Sequence, residues 1–233
     1  MDEFAVILPA AGRSARFGPG RAKLLEALEG EPVIRWSVRA FIGRADVCRV
    51  VIATPSDNMG ELSGALGDLA RNPRIHFCVG GDCRAQSVRN ALGQVPSEVK
   101  WVAIHDAARP LVSQALIDRT FAAARQHGAA VPALPVTLTI KQAAGPLPAP
   151  VQRTVPRHTL WAMQTPQAMR RDQLLAAFDS CPLPLDQITD DAQVLELAGL
   201  EVWLVEGEDR NLKITTPGDL HIAKMLLAND CQI

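Results

Sequence analysis

No stretch of this 233-residue chain approaches the length of a membrane span. Nor does it carry a surplus of positive charge: 24 Lys and Arg against 25 Asp and Glu give a formal net charge of −1. A general nucleic-acid or membrane-surface binder has a basic excess, so the balance argues against both classes. Arginines that bind anions must therefore do so locally. Cysteine is sparse and unpaired in pattern. The five (Cys48, Cys78, Cys83, Cys181 and Cys231) contain no Cys-x-x-Cys, and Cys78 and Cys83 match no metal-ligand spacing, so buried free thiols are predicted. Met1-Asp2-Glu3 is acidic and the apolar run after it is too short for a signal-peptide core, so a reducing cytoplasm is expected.

Familiar catalytic signatures are missing too. Ala22 precedes Lys23 and Leu24 follows it, which breaks the P-loop pattern G-x-x-x-x-G-K-[ST]. G-x-G-x-x-G is absent as well, which disfavours a dinucleotide fold. His76, His127, His158 and His221 show no metal spacing, and no Ser or Cys sits in a nucleophile elbow. There is no acid–base pair or triad, and no internal repeat.

What is present is a rhythm. Short apolar, β-prone runs at 4–8, 49–54, 75–79, 101–105, 130–134 and 202–206 alternate with amphipathic segments at 33–42, 61–70, 85–92, 114–127, 172–178, 191–198 and 217–227. Several of the runs are apolar throughout, as in strands covered on both faces. Alternation of this kind predicts an α/β fold, a mostly parallel sheet with helices on both sides, and ligands at the carboxyl ends of the strands. The length suits one domain, 1–233, or a domain with an appendage. Residues 136–157 interrupt the rhythm: two β-prone pieces, 137–141 and 151–155, flank the Gly- and Pro-rich turn 143–150. They predict a two-stranded arm. Because an isolated hairpin is marginal in water, the arm must pack on a second copy of the chain or fold back on its own domain.

Four clusters carry chemistry. "LPAAGRSARFGPGRAK" (8–23) follows the first strand and combines Gly12, Gly18 and Gly20 with Arg16 and Lys23. Glycines let backbone N–H groups approach phosphate oxygens and the cations neutralise them; the plain alternative is a solvated surface loop. Gly80-Gly81-Asp82-Cys83-Arg84 leads into a helix carrying Ser87, where small residues admit a flat base and Asp82 and Ser87 can bond its edge. His105-Asp-Ala-Ala-Arg-Pro110 ends a strand; Asp106 there suits a metal or sugar hydroxyl and Arg109 a phosphate, or the two form a turn-fixing salt bridge. Asn211-Leu-Lys213 offers either a phosphate ligand or an ordinary exposed lysine, ahead of a helix opened by Pro217.

Together with Thr139, Arg157, Thr165-Pro-Gln167 and Thr189-Asp190, these clusters closely resemble the 2-C-methyl-D-erythritol 4-phosphate cytidylyltransferases of the non-mevalonate isoprenoid pathway, nearly end to end. The Ala10-Ala11-Gly12 motif is shared by many nucleotidyltransferases, whereas His-Asp-Ala-Ala-Arg-Pro is much narrower. The resemblance implies a Rossmann-like three-layer α/β/α fold with a protruding two-stranded β-arm at 136–157, a homodimer clasped through that arm, and a Mg²⁺-dependent transfer of CMP from CTP to a polyol phosphate. It further implies that Arg16 and Lys23 bear on the triphosphate. Ala10, Ala11, Gly12, Gly81, Asp82 and Ser87 would form the nucleotide site. Asp106, Arg109, Thr139 and Thr165 would meet the acceptor, with Arg157 and Lys213 positioning its phosphate and Asp106 reaching the metal through water. The nucleophile would be a phosphate monoester oxygen, largely ionised at neutral pH, so no general base is needed.

Against the family pattern, Ser14 replaces a frequent glycine, Leu24 a glutamine, Leu138 an aspartate before the arm threonine, and Asp191 a glutamate. The sister ribitol 5-phosphate cytidylyltransferases share the CTP-binding half, while Arg157, Thr165 and Lys213 lean toward methylerythritol. A non-catalytic nucleotide-binding module is the rival from another class, and cations directed at both substrates speak against it.

Overall fold

The computed structural model describes residues 3–12, 17, 18 and 22–230. Strand β1 (Phe4–Pro9) sits inside a sheet because its side chains are apolar on both faces. Phe4, Val6 and Leu8 point into one hydrophobic layer and Ala5 and Ile7 into the other. Around it, in chain order, come a short hairpin β2 (Ala27–Leu28) and β3 (Glu31–Pro32), α1 (Val33–Ile42), β4 (Val47–Thr54), α2 (Met59–Leu66), β5 (Ile75–Val79), α3 (Arg84–Leu92), β6 (Trp101–Ile104), α4 (Gln114–His127) and β7 (Ala129–Pro135). The arm strands β8 (Ile140–Ala143) and β9 (Val151–Val155) follow. Then come β10 (Trp161–Met163), β11 (Gln167–Arg170), α5 (Arg171–Asp179), α6 (Asp191–Leu197), β12 (Trp203–Glu206) and α7 (Pro217–Asp230).

The main sheet runs β10-β7-β11-β6-β1-β4-β5, with β12 paired to β7. Strands β5, β4, β1 and β6 run parallel to one another, so their carboxyl ends share one edge. Helices α1, α2, α4 and α7 cover one face; α3, α5 and α6 cover the other. The antiparallel β11 lies between β6 and β7. Ala130 pairs with both Ala168 of β11 and Trp203 of β12, and Ala133 with both Met163 of β10 and Glu206 of β12. So β10 and β11 lie along the same side of β7, one line broken at residues 164–166. At that break Gln164 N–H still donates to Pro132 O of β7 at 2.7 Å, and the chain leaves the ladder at Thr165 and Pro166.

The alternating pattern predicts most of these elements to within one or two residues. Three differences have local causes. The predicted helix 61–70 divides at Gly67, whose φ of +58° stops α2, and continues as a 3₁₀ turn to Arg71. The first arm strand starts at Ile140 rather than 137, because it begins opposite Val155 and closes at Ala143 opposite Val151. Strands β10 and β11 are not foreshadowed at all: they are short, and β11 opens on a buried glutamine that breaks any apolar pattern. The thiols also differ from expectation. Cys48, Cys78, Cys83 and Cys181 are free but half-buried at the margins of the core, and Cys231 lies outside the described residues.

The larger layer is keyed by Phe4 and Phe121, fully buried and stacked at 3.7 Å between ring centroids, across the β1–α4 contact. We expect Phe121→Ala to lower the unfolding free energy by about 3–5 kcal/mol, the usual cost of emptying such a site. Urea denaturation would measure it, and a loss under about 1 kcal/mol would show that the layer does not hinge on this pair.

Candidate active site

The carboxyl ends of β1, β4, β5 and β6 open on a cavity of about 550 Å³. The chain leaving β1 supplies Ala10, Ala11 and Gly12, with Lys23 farther on; Ala10 N–H still donates to Ala53 O at 2.7 Å, which fixes the loop's departure. The chain leaving β5 supplies Gly80, Gly81 and Asp82. Both glycines are required by close approach. A Cβ on Gly80 would sit 2.9 Å from Cβ of Ala11, and one on Gly81 2.1 Å from Cγ of Gln86. Ser87 lines the same wall but is fully buried, and its Oγ accepts from Gly81 N–H at 3.0 Å and donates to Cys83 O at 2.9 Å. Its hydroxyl therefore shapes the glycine loop. Cys83 caps α3, its Sγ accepting from Gln86 N–H.

A second cavity, of about 270 Å³, adjoins the first and is lined by Arg109, Gln164, Thr165, Gln167, Thr189 and Asp190. The two cavities have three lining residues in common: Arg84, Asp106 and Lys213. These come from the start of α3, the end of β6 and the segment before α7.

Asp106 is the centre of this partition. One carboxylate oxygen accepts from Arg84 Nε at 3.3 Å; the other meets Lys213 Nζ at 2.9 Å and Arg109 Nε at 3.4 Å. Burial by itself would push this carboxyl up, but Arg84, Lys213 and Arg109 outweigh it and hold Asp106 far below the usual carboxylate range. Arg84 also donates from Nη2 to Asp191 at 2.7 Å. Burial opposes the Arg84 charge, yet Asp191 and Asp106 keep it firmly protonated. Three cations thus face two carboxylates, which leaves the boundary of the two cavities net positive; burial pushes the Asp191 carboxyl up, against the opposing pull of Arg84. Among the described residues no group of three or more His, Cys, Asp and Glu could hold a metal ion.

Buried hydrogen bonds hold the partition in place. Thr165 Oγ1 accepts from Asp106 N–H at 3.0 Å and lies 3.0 Å from Nδ1 of His105, whose Nε2 lies 3.1 Å from Arg109 O. Arg109 Nη1 donates to Asn211 O at 2.7 Å, and Asn211 Nδ2 to Thr165 O at 2.8 Å. Gln164 both donates to Glu208 O and accepts from Glu208 N–H, which fixes the segment that delivers Lys213. At the far side, Ser37 Oγ donates to Ala107 O at 2.8 Å, tying α1 to the loop after β6.

Of the residues singled out in the sequence, the structure gathers Ala10, Ala11, Gly12, Lys23, Gly81, Asp82, Ser87, Asp106, Arg109, Thr165 and Lys213 around these two cavities. Arg16 and Ser14 lie outside the described residues. Thr139 and Arg157 are exposed on the arm and line neither cavity; Arg157 donates to Thr137 O. Leu138 is 74% exposed, so no local bond replaces the aspartate that the family pattern has there. Arg84 and Gln167 stand inside motifs quoted from the sequence but received no role there, and Gln164 was not singled out. For Arg84 there was a signal: a cation in the first turn of a helix opposes the helix dipole and so needs a carboxylate or an anion nearby.

A family model described as 2-C-methyl-D-erythritol 4-phosphate cytidylyltransferase, IspD, matches residues 4–229. A protein of that name from Streptomyces coelicolor is 42% identical over 231 residues, 96% of this chain and 84% of its own. Among solved structures, the 2-C-methyl-D-erythritol 4-phosphate cytidylyltransferase from Thermus thermophilus is 33% identical with a TM-score of 0.77, covering 96% of this chain and 98% of that one. The Francisella tularensis enzyme of the same name is 30% identical with a TM-score of 0.82, covering 96% and 99%.

Burial pushes the His105 imidazole down to about 4 from an ordinary value of 6.5. Below about pH 6.5 the unfolded chain takes up a proton that the folded chain refuses, so stability falls as pH drops toward 4, by at most about 1.4 kcal/mol per unit. Urea midpoints across this range should decline for the native protein and decline less for His105→Asn. Identical profiles would remove His105 as the cause.

Proposed function

The chain belongs to the 2-C-methyl-D-erythritol 4-phosphate cytidylyltransferase family, and from that premise we propose how its two cavities divide the reaction. The larger holds CTP and the smaller holds 2-C-methyl-D-erythritol 4-phosphate. The observation that carries this reading is the charged partition of Arg84, Asp106 and Lys213 common to both cavities. Two anionic substrates that must meet require cations at the boundary, with an anion among them to keep those cations apart and oriented.

The acceptor's phosphate oxygen attacks the α-phosphorus of CTP; the bond to the β-phosphate oxygen breaks and pyrophosphate leaves with the electron pair. The attacking oxygen is already ionised, so the protein's work is positioning and charge stabilisation. The glycines at 80 and 81 and the wall at Ser87 take the base. Lys23, with Arg16, acts on the triphosphate, where negative charge grows on the equatorial oxygens. Arg109, Thr165 and Lys213 hold the acceptor beside Asp106. Magnesium, an ion that keeps several waters and binds through substrate phosphates, would neutralise the triphosphate and reach Asp106 through water. That fits a carboxylate whose two oxygens are already occupied by cations.

The arm is proposed to clasp a second copy, carrying Thr139 and Arg157 to the acceptor site of its partner. Its exposed Leu138, Leu147 and Val151 and the marginal stability of a lone hairpin support this. We place the enzyme in the cytoplasm; among the described residues no helix is long and apolar enough to cross a membrane.

Pyrophosphate release from CTP and Mg²⁺, with methylerythritol phosphate or ribitol phosphate offered separately, tests the reaction. Release with the first alone is expected; release with ribitol phosphate instead would reassign the smaller cavity, and none with either would leave a binding module. Lys23→Ala should lower kcat at least about 100-fold without moving the melting temperature, and near-native kcat would remove Lys23 from catalysis. Light scattering at assay concentration should give twice the chain mass; a monomer would refute the clasp.

A further inference from the structure

Asp191 is a carboxylate with no exposure to solvent that lines neither cavity. It is nonetheless held with unusual care. Gln167, the first residue of β11, pairs with Ile104 at the end of β6, one residue from His105. Its side-chain Oε1 accepts from the N–H groups of Asp191 and Ala192, both at 3.0 Å, and its Nε2 donates to Asp190 at 2.9 Å. Asp190 in turn accepts from Gln193 N–H. The central sheet thereby fixes the start of α6, and with it the Asp191 carboxylate.

That carboxylate faces Arg84. With Nη2 on Asp191 and Nε on Asp106, the guanidinium is held at two points on a plane, so its orientation is set. Its remaining nitrogen, Nη1, makes no hydrogen bond among the described residues, and Arg84 lines both cavities. The other Asp191 oxygen, Oδ1, is buried without a hydrogen-bond partner. A buried ion pair seldom repays its desolvation. The arrangement makes sense as orientation rather than as stabilisation.

We propose that Asp191 is a positioning residue which, anchored by Gln167, turns the open Nη1 edge of Arg84 toward the phosphate of the acceptor at the boundary of the two cavities. The inference rests on the assignment of those cavities to CTP and the polyol phosphate. Without the Asp191 charge, Arg84 keeps at most a weaker, neutral hydrogen bond on that side, so its one charge-assisted tether is Asp106 and it can swing about that contact. The acceptor phosphate then loses an aligned donor, while the base and triphosphate contacts of the larger cavity are untouched.

The test is steady-state pyrophosphate release with the full chain, CTP, Mg²⁺ and methylerythritol phosphate, each substrate varied against saturating amounts of the other. Asp191→Asn keeps the shape and removes the charge. Its KM for the acceptor should rise about tenfold while its KM for CTP stays within about twofold. In an Arg84→Lys background, the same substitution should add less than about twofold, because Asp191 acts only through that guanidinium. Should Asp191→Asn melt below the assay temperature, the same KM comparison is made for native and variant enzymes at a temperature below its melting point; Asp191→Glu, the residue of the family pattern, should leave both KM values within about twofold. Unchanged KM values with only a lowered melting temperature would make the pair structural, and additive losses in the double variant would sever Asp191 from Arg84; either overturns the proposal. A native enzyme that releases no pyrophosphate would instead overturn the cavity assignment, and this inference with it.

Discussion

The candidate site depends on one ionised carboxylate. Asp106 stands at the end of β6, buried, with Arg84, Arg109 and Lys213 within 3.4 Å of its oxygens. Each cation arrives from a different part of the chain. None could stay there alone, because like charges gathered in a partly buried cleft repel and lose hydration. The carboxylate makes their assembly possible. What remains is a net positive charge, dispersed over oriented donors, at the place where two cavities meet.

That arrangement accounts for several features that otherwise look unrelated. A chain of nearly zero net charge handles two anionic substrates because its positive charge is local rather than general. The small Ser-His-Thr side chains nearby serve as struts: His105 is neutral and locked between Thr165 and the Arg109 carbonyl, and Ser37 holds the loop behind it. None is placed as a nucleophile or base. Phosphoryl transfer between an ionised phosphate and a nucleotide needs neither. Buried ion pairs are weak contributors to stability, so the fold's stability is better sought in the two apolar layers than in the polar partition.

How much of this could be read from the chain follows from the range of each interaction. Strand and helix periods depend on neighbours in sequence, so β1, β4, β5, β6, β7 and the helices were legible to within a residue or two, α2 and the last turn of α7 excepted. Glycine motifs and Lys23, Asp106, Arg109 and Lys213 were legible because they follow strands, and parallel strands must end on a common edge. Strands β10 and β11 escaped because their pairing with β7 is set by a break in register at 164–166, which no local period announces.

The amino-acid order, then, was sufficient for the α/β class, the edge where the cavities open and the residue types gathered there, since all three follow from local periodicity and chemistry. Three-dimensional packing was needed to bring Arg84 between Asp106 and Asp191, residues 22 and 107 positions away. It also divided one cleft into two cavities and set Gln164, Gln167 and Asn211 as the struts around them. Those are long-range hydrogen bonds and charge pairs. Their energy depends on distances of a few ångströms that exist only once the sheet and its covering helices have closed on each other.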